Sequence, residues 1–269
     1  MKNIKHNKNA DILLTSKLKH KMNKITVIII NYNSRKYLYK LIFSLNKIDD
    51  LIKEIIIIDN QSNKNNKPDI IKLKKIYSNS KKIILKINND NLGFSKAVNQ
   101  GISQSGSKYI LLLNPDTLIL DNKSIKYLLN KIEKNPKTSI VDGKIINERK
   151  EHQLSATGPI NFFTGLFEFT NLKRIFPNNR FSCKFWLKNM DTASCCNVSS
   201  LCGAFLLFRR VINGKINYFD ETFFLYLEDI DFGIKNIVSG NMIVYCPESV
   251  ILHYGGKSST GKYNIDLQH

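Results

Sequence analysis

From residue 25 onward the chain alternates apolar runs with short polar turns. Residues 25–30 are β-branched throughout, the composition of a parallel strand buried on both faces. Asn31, Tyr32, Asn33 and Ser34 then supply turn chemistry, with Ser34 placed as a helix N-cap. Leu38, Leu41, Ile42 and Leu45 recur behind them at helical spacing. The unit repeats in kind. A run over 54–58 predicts a second strand ending at Asp59, followed by a helix from Pro68 to Tyr77. Residues 82–86 predict a third strand, and Asn91 and Gly93 lead into a helix carrying Ala97, Val98 and Ile102. Residues 109–113 form the fourth and most apolar run, which stops at Asn114, Pro115 and Asp116. Strand, polar loop and helix in succession predict an α/β fold with a mostly parallel sheet and right-handed crossovers. Ligands of such sheets bind beyond the carboxyl ends of the strands. Those ends carry Asn31 and Asn33, Asp59, Asn91 and Asp116.

The second half is less regular. Leu128, Leu129 and Ile132 predict a helix and 139–147 a strand. Between 151 and 200, Phe162, Phe163, Phe167, Phe169, Phe176, Phe181, Phe185 and Trp186 are mixed with Lys173, Arg174, Arg180, Lys184 and Lys188. Residues 203–208 predict a strand. Glu228 and Asp229 open a helix whose Ile230, Ile234, Ile237 and Val238 are expected to form its apolar face, stopped by Gly240. Two short strands, 242–245 and 249–253, end the pattern at His253.

Charge changes the picture at the edges. The chain of 269 residues holds 41 Lys and Arg against 22 Asp and Glu, a net +19. The first 24 residues have seven Lys and one acid, Asp11, and read as a basic arm outside the folded core. The crowding of Lys with Asn and Ile fits a compositional drift; attraction to polyanions is the functional alternative. The longest stretch without a charge, Thr192–Phe208, is 17 residues and broken by Ser, Asn and Thr, too short and polar to span a bilayer. The expected location is cytoplasmic, with a peripheral seat on the inner face of the membrane left open. The five cysteines include no Cys-x-x-Cys pair and read as reduced, structural thiols.

Three features carry chemistry. Pro115 holds Asn114 extended, so Asp116 is presented rigidly at the sheet's edge, where one carboxylate with substrate phosphates is a usual way to hold Mg²⁺ or Mn²⁺. The bland alternative is a cap on the turn at Thr117. Glu228 and Asp229 sit where the helix dipole favours an ionised carboxylate, as a general base requires. His253 follows a strand and precedes two glycines that permit close approach.

Together these residues resemble glycosyltransferase family 2, the nucleotide-diphospho-sugar transferases of GT-A fold, and most of all its rhamnosyltransferase-like members. The resemblance lies in residues 28–34, 58–62, 91–99, 111–117, 203–206, 219–231 and 253–259, in order and at family-like spacing. It implies a Rossmann-like sheet flanked by helices with a smaller acceptor-side region. Residues 25–120 would form the nucleotide-sugar half and 121–269 the acceptor-binding and catalytic half, with 150–200 variable and membrane-facing at most. Asn31, Tyr32, Asn33 and Asp59 would hold nucleobase and ribose, Asn91 and Gly93 would line the same cleft, and Asn114 and Asp116 would match the family's Asp-x-Asp element. Asp116 and His253 would ligate a divalent metal, and Asp229, beside Glu228, would be the base of a single inverting displacement. The implied partners are a UDP- or dTDP-linked sugar and a glycan or lipid-linked acceptor in bacterial surface polysaccharide synthesis, with no nucleic acid expected. The Gln/Arg-x-x-Arg-Trp motif of processive synthases is absent, so one sugar per encounter is expected. A sugar-nucleotidyltransferase is the alternative, and would want a Gly-rich phosphate loop after the first strand, where Asn31–Ser34 has no Gly.

Overall fold

The computed structural model describes residues 25–168, 170–187 and 193–255. The basic arm, Phe169, Lys188 and the Gly256–Ser259 end of the last motif lie outside the described residues. The regular first half runs β1 (Ile25–Asn31), α1 (Arg35–Leu45), β2 (Ile52–Asp59), α2 (Ile70–Ile76), β3 (Ile83–Ile87), α3 (Phe94–Gln104) and β4 (Tyr109–Leu113). It continues through β5 (Thr117–Ile119), α4 (Asn122–Lys134), β6 (Thr138–Ile146), β7 (His152–Gln153) and β8 (Ala156–Thr157). Three short helices, α5 (Phe162–Glu168), α6 (Leu172–Ile175) and α7 (Arg180–Phe185), precede β9 (Cys196–Val198), β10 (Ser200–Leu201) and β11 (Phe205–Arg209). A small hairpin, β12 (Val211–Ile212) and β13 (Lys215–Ile216), leads to α8 (Glu228–Val238) and β14 (Met242–His253).

The main sheet has the order β3-β2-β1-β4-β11-β6-β14-β5. Its first four strands are parallel, β11 runs antiparallel to β4 and β6, β14 is parallel to β6, and β5 closes the edge antiparallel. Every residue of β1 is buried. Alternate side chains feed two cores: Ile25, Val27 and Ile29 pack with Leu38, Leu41 and Ile42 of α1, while Ile28 and Ile30 pack with Ala97, Val98 and Ile102 of α3. Each fully buried aliphatic side chain contributes about 1.5–3 kcal/mol, which explains why β4, buried throughout, has no polar face. The register sets Asn31 opposite Asp59 and Asp59 opposite Ile87, so the polar strand ends line up along one edge.

Several local expectations change. Ser34 precedes α1 but its hydroxyl donates to the Tyr32 carbonyl at 3.0 Å instead of capping the helix. The second helix starts late, at Ile70, because the Asp69 carboxylate accepts from the Ile71 and Lys72 amides and fixes its N-terminus there. The two final strands are one bent strand, β14, with a register irregularity between Cys246 and Val250. The apolar face expected of α8 is wrong. Ile234, Ile237 and Val238 are exposed, and the helix buries Glu228, Phe232, Gly233 and Asn236. Gly233 is the cause: a Cβ there would lie 2.5 Å from the Ser199 carbonyl and 2.7 Å from the Ser200 Cβ. Close seating on β10 at this glycine sets the rotation of the helix, and Phe232 stacks on Phe219 with ring centroids 4.1 Å apart.

Candidate active site

The ends of β1 and β2 are tied together by side chains. Asn31 Nδ2 donates to Asp59 Oδ1 at 2.7 Å and to Ser62 Oγ at 3.0 Å, and the Ser62 hydroxyl donates to the same Asp59 oxygen at 2.6 Å. Asn33, in the left-handed region at φ 55°, donates its amide to Ser62 Oγ at 2.9 Å, and its side-chain oxygen accepts from the Asn63 amide. Asp59 is fully buried by this lock, so its carboxylate faces inward. Tyr32, 37% exposed, reaches solvent beside this lock.

Asn60 builds the neighbouring loop. Its side-chain nitrogen donates to Asn91 Oδ1 at 2.7 Å and to the Gly93 carbonyl at 3.2 Å, and its oxygen accepts from Asn88 Nδ2 and the Leu92 amide. Gly93 adopts φ +83°, and a Cβ there would meet the Phe224 carbonyl at 2.7 Å. The Phe94 amide donates to that carbonyl at 2.7 Å. Gly93 thus lets the start of α3 dock against the loop that leads into Glu228 and Asp229.

At the end of β4 the chain turns through Asn114, Pro115 and Asp116 into β5. The Thr117 hydroxyl and amide both donate to the Asn114 carbonyl, at 2.7 and 3.1 Å. The turn is therefore capped by Thr117, and the Asp116 side chain takes no part in it. β5 pairs with β14 so that Thr117 stands opposite His253, and the Tyr254 amide donates to the Asp116 carbonyl at 2.9 Å. This register brings His253 Nε2 to 3.2 Å from Asp116 Oδ1. The pair is not aligned as a hydrogen bond, and both oxygens of the fully buried Asp116 carboxylate have no hydrogen-bond partner. On the far side of the ring, Gln153 Nε2 donates to the His253 carbonyl at 3.4 Å, which turns Gln153 Oε1 toward His253 Nδ1 at 2.9 Å. That contact requires a proton on Nδ1 and turns Nε2 toward the carboxylate.

A buried carboxylate without donors calls for a positive charge beside it. The residues present fit a divalent cation, which Asp116 and His253 would ligate. Among the described residues no group of three or more His, Cys, Asp or Glu could hold a metal ion, so the rest of the shell would be water or ligand phosphate.

Asp229 lies across a short bridge from this corner. The Asn114 amide donates to the Ala204 carbonyl at 3.0 Å, and the adjacent Gly203 amide donates to Asp229 Oδ2 at 3.2 Å. The Ile230 amide donates to Asp229 Oδ1 at 2.8 Å. Burial raises the Asp229 pKa above the usual carboxylate value in spite of these donors. Burial, with the Asp229 charge beside it, pushes Glu228 up to about 7, and Glu228 Oε2 is buried without a partner. The approach to the pair is strained: Tyr226 and Leu227 are both left-handed, at φ 70° and 68°, where a non-glycine residue costs about 1–3 kcal/mol. Cys202, next to Gly203, is pushed up to about 12 by burial and by Asp229, so its thiol stays protonated and is no nucleophile.

The structure thus brings Asn114, Asp116 and His253 to one corner and joins them through Gly203 and Ala204 to Asp229 and Glu228. Asn31, Asn33, Asp59, Asn91 and Gly93 form the adjoining loops. Three residues absent from the sequence-derived set matter as much: Asn60, Ser62 and Gln153. Asn60 and Ser62 lie inside a motif that sequence reading marks; Gln153, in an irregular segment, carries no sequence signal.

Comparison with known proteins bears on this arrangement. The family described as Glycosyl transferase family 2 matches residues 26–216. Among curated proteins, N-acetylglucosaminyl-diphospho-decaprenol L-rhamnosyltransferase of Mycobacterium tuberculosis is 26% identical over 187 residues, covering 63% of this chain and 58% of that one. Poly-beta-1,6-N-acetyl-D-glucosamine synthase of Staphylococcus epidermidis is 26% identical over 239 residues, covering 89% and 52%. The chain therefore spans little more than half the length of these relatives. Among solved structures, GalNAc-T7 with UDP, GalNAc and Mn²⁺ superposes with a TM-score of 0.64 at 15% identity, covering 86% of this chain and 44% of that one. The mannosyltransferase PcManGT of Pyrobaculum calidifontis, in complex with GDP-Man and Mn²⁺, gives 0.57 at 13% identity, covering 91% and 65%. These superpositions agree with the GT-A arrangement of the sheet. With the family match running through most of the chain and the strand ends gathered as described, the chain belongs to glycosyltransferase family 2.

Proposed function

We propose that the chain moves one sugar, with inversion and with the help of a divalent cation, from a nucleotide-diphospho-sugar to a hydroxyl of a glycan or lipid-linked acceptor. The observation that carries this reading is the unpartnered Asp116 carboxylate against His253, tied through Gly203 and Ala204 to Asp229. Tyr32 and the loops held by Asp59 and Asn60 would seat the nucleoside. Asp116 and His253 would hold Mg²⁺ or Mn²⁺, which when bound neutralises charge on a departing diphosphate. Asp229 would take the proton of the acceptor hydroxyl as it attacks the anomeric carbon, and its raised proton affinity suits that task better than an ordinary surface Asp would. Glu228 would share the same buried charge. Rhamnose is the proposed sugar, with UDP or dTDP as carrier, by analogy with the mycobacterial relative's name; the acceptor would be a precursor of surface polysaccharide.

The test is a panel of UDP- and dTDP-sugars with Mn²⁺ or Mg²⁺, scored by thermal shift and by transfer to a lipid-linked acceptor. One donor should raise the melting temperature only with metal present, and Asp116→Asn should abolish that metal dependence. Stabilisation by every donor without metal, unchanged in Asp116→Asn, would remove the reading.

A further inference from the structure

Helices α5, α6 and α7 form a small layer that the transfer chemistry does not use. Its aromatic rings pack on one another: Phe181 stacks on Phe163 and Phe167 at 5.1 and 5.3 Å, and Phe176 meets Phe167 edge-on. Glu168, buried at its centre, pairs with Lys173 and accepts from Trp186 Nε1 at 2.6 Å. Outward, the layer shows large apolar groups: Phe162 is 77% exposed, Ile175 66% and Phe176 53%. An open recess of about 480 Å³ lies on the same layer, lined by Phe167, Ile175, Phe176, Pro177, Asn178 and Asn179. Arg174, Arg180 and Lys184 are exposed on the same helices. From Gly158 to Leu187 the sole acid is the buried Glu168.

We infer that this layer seats the protein on an anionic lipid bilayer, with Phe162, Ile175 and Phe176 entering the interface and Arg174, Arg180 and Lys184 meeting lipid headgroups. Protruding apolar side chains among cations, with no exposed carboxylate, match the chemistry of such a surface, where the apolar groups leave water and the cations keep theirs at headgroup level. The layer is also fastened close to the reaction corner. The Gly158 amide donates to the Phe185 carbonyl at 2.7 Å, β8 pairs with β10, and β10 leads directly to Cys202 and Gly203, the donor to Asp229. That this seat delivers a lipid-linked acceptor to Asp229 rests on the transferase reading; the seat itself does not.

The experiment is flotation of the full chain, without donor or acceptor, with phosphatidylglycerol-containing vesicles and with pure phosphatidylcholine vesicles. Wild type should float with the anionic vesicles. Phe162→Ser/Ile175→Ser/Phe176→Ser should lower partitioning roughly tenfold or more, and Arg174→Ser/Arg180→Ser roughly tenfold on anionic vesicles alone. Trp186, the chain's single tryptophan, gives a readout that needs no variant: brominated acyl chains should quench its emission. Absence of flotation, an apolar triple variant that floats like wild type through the remaining basic surface, absence of quenching, or a dimer that the triple variant abolishes would each overturn the inference.

Discussion

Gln153 grips His253 at both ends, its carboxamide oxygen 2.9 Å from Nδ1 and its nitrogen 3.4 Å from the histidine carbonyl. The contact holds the orientation of the ring, and so which nitrogen faces Asp116. Outer partners of this kind typically change metal affinity 10–100-fold. Gln153→Leu is expected to weaken Mn²⁺ binding about tenfold in a calorimetric titration with UDP present. Gln153→Glu, which keeps an acceptor for Nδ1, should restore most of it. Equal Mn²⁺ affinity in the Leu variant and wild type would leave Gln153 a packing residue only.

Asp229 and Glu228 both hold their protons more tightly than ordinary carboxyls, chiefly because of burial. A base must be ionised to act, so kcat/KM should rise with pH along an acid limb lying above the usual carboxylate range, with an apparent pKa belonging to the pair. Asp229→Asn should lower kcat by roughly 10²–10⁴-fold while the donor-induced thermal shift persists. A transfer rate in Asp229→Asn within a few-fold of wild type would assign the base elsewhere.

The same burial has a signature in stability. Glu228 is raised from 4.5 to about 7 on folding, so between these values the folded state binds the more protons. Stability is then greatest below the unfolded pKa and declines as pH rises through this window. Glu228→Gln should be more stable than wild type at pH 8, by at most about 3 kcal/mol, with the gain fading toward pH 4.5. Urea melts at three pH values measure this, and a gain independent of pH would show that the carboxyl's charge is not the cause.

The first half of the fold was legible because its strands are buried on both faces. β4 occupies residues 109–113 as its apolar run predicts, and Leu38, Leu41, Ile42 and Leu45 of α1 are all fully buried. The sites at Asp116, His253 and Asp229 were marked by type and position alone; that His253 comes to Asp116 depends on the β5–β14 register, a long-range pairing no local pattern encodes. The face of α8 was misread for a related reason. Apolar periodicity names a stripe, but the steric gap at Gly233 decides which side of the helix meets β10, and it leaves Val238 82% exposed. Asp59 also has ties that its type alone does not announce, to Asn31 and Ser62.

Ser62 tests what those ties are for. Its hydroxyl oxygen accepts from Asn31 Nδ2 and the Asn33 amide and its proton goes to Asp59, so three residues meet on one atom. Ser62→Ala leaves the buried Asp59 and the Asn33 amide short of partners, a loss of about 1–3 kcal/mol. If the lock shapes the nucleoside seat, KM for the donor should rise several-fold while kcat at saturation stays near wild type, because Asp229 and the Asp116 corner are untouched. A melting temperature lowered with KM unchanged would make the lock purely structural. A fall in kcat at unchanged KM would place Ser62 nearer to the reacting groups than its hydrogen bonds suggest.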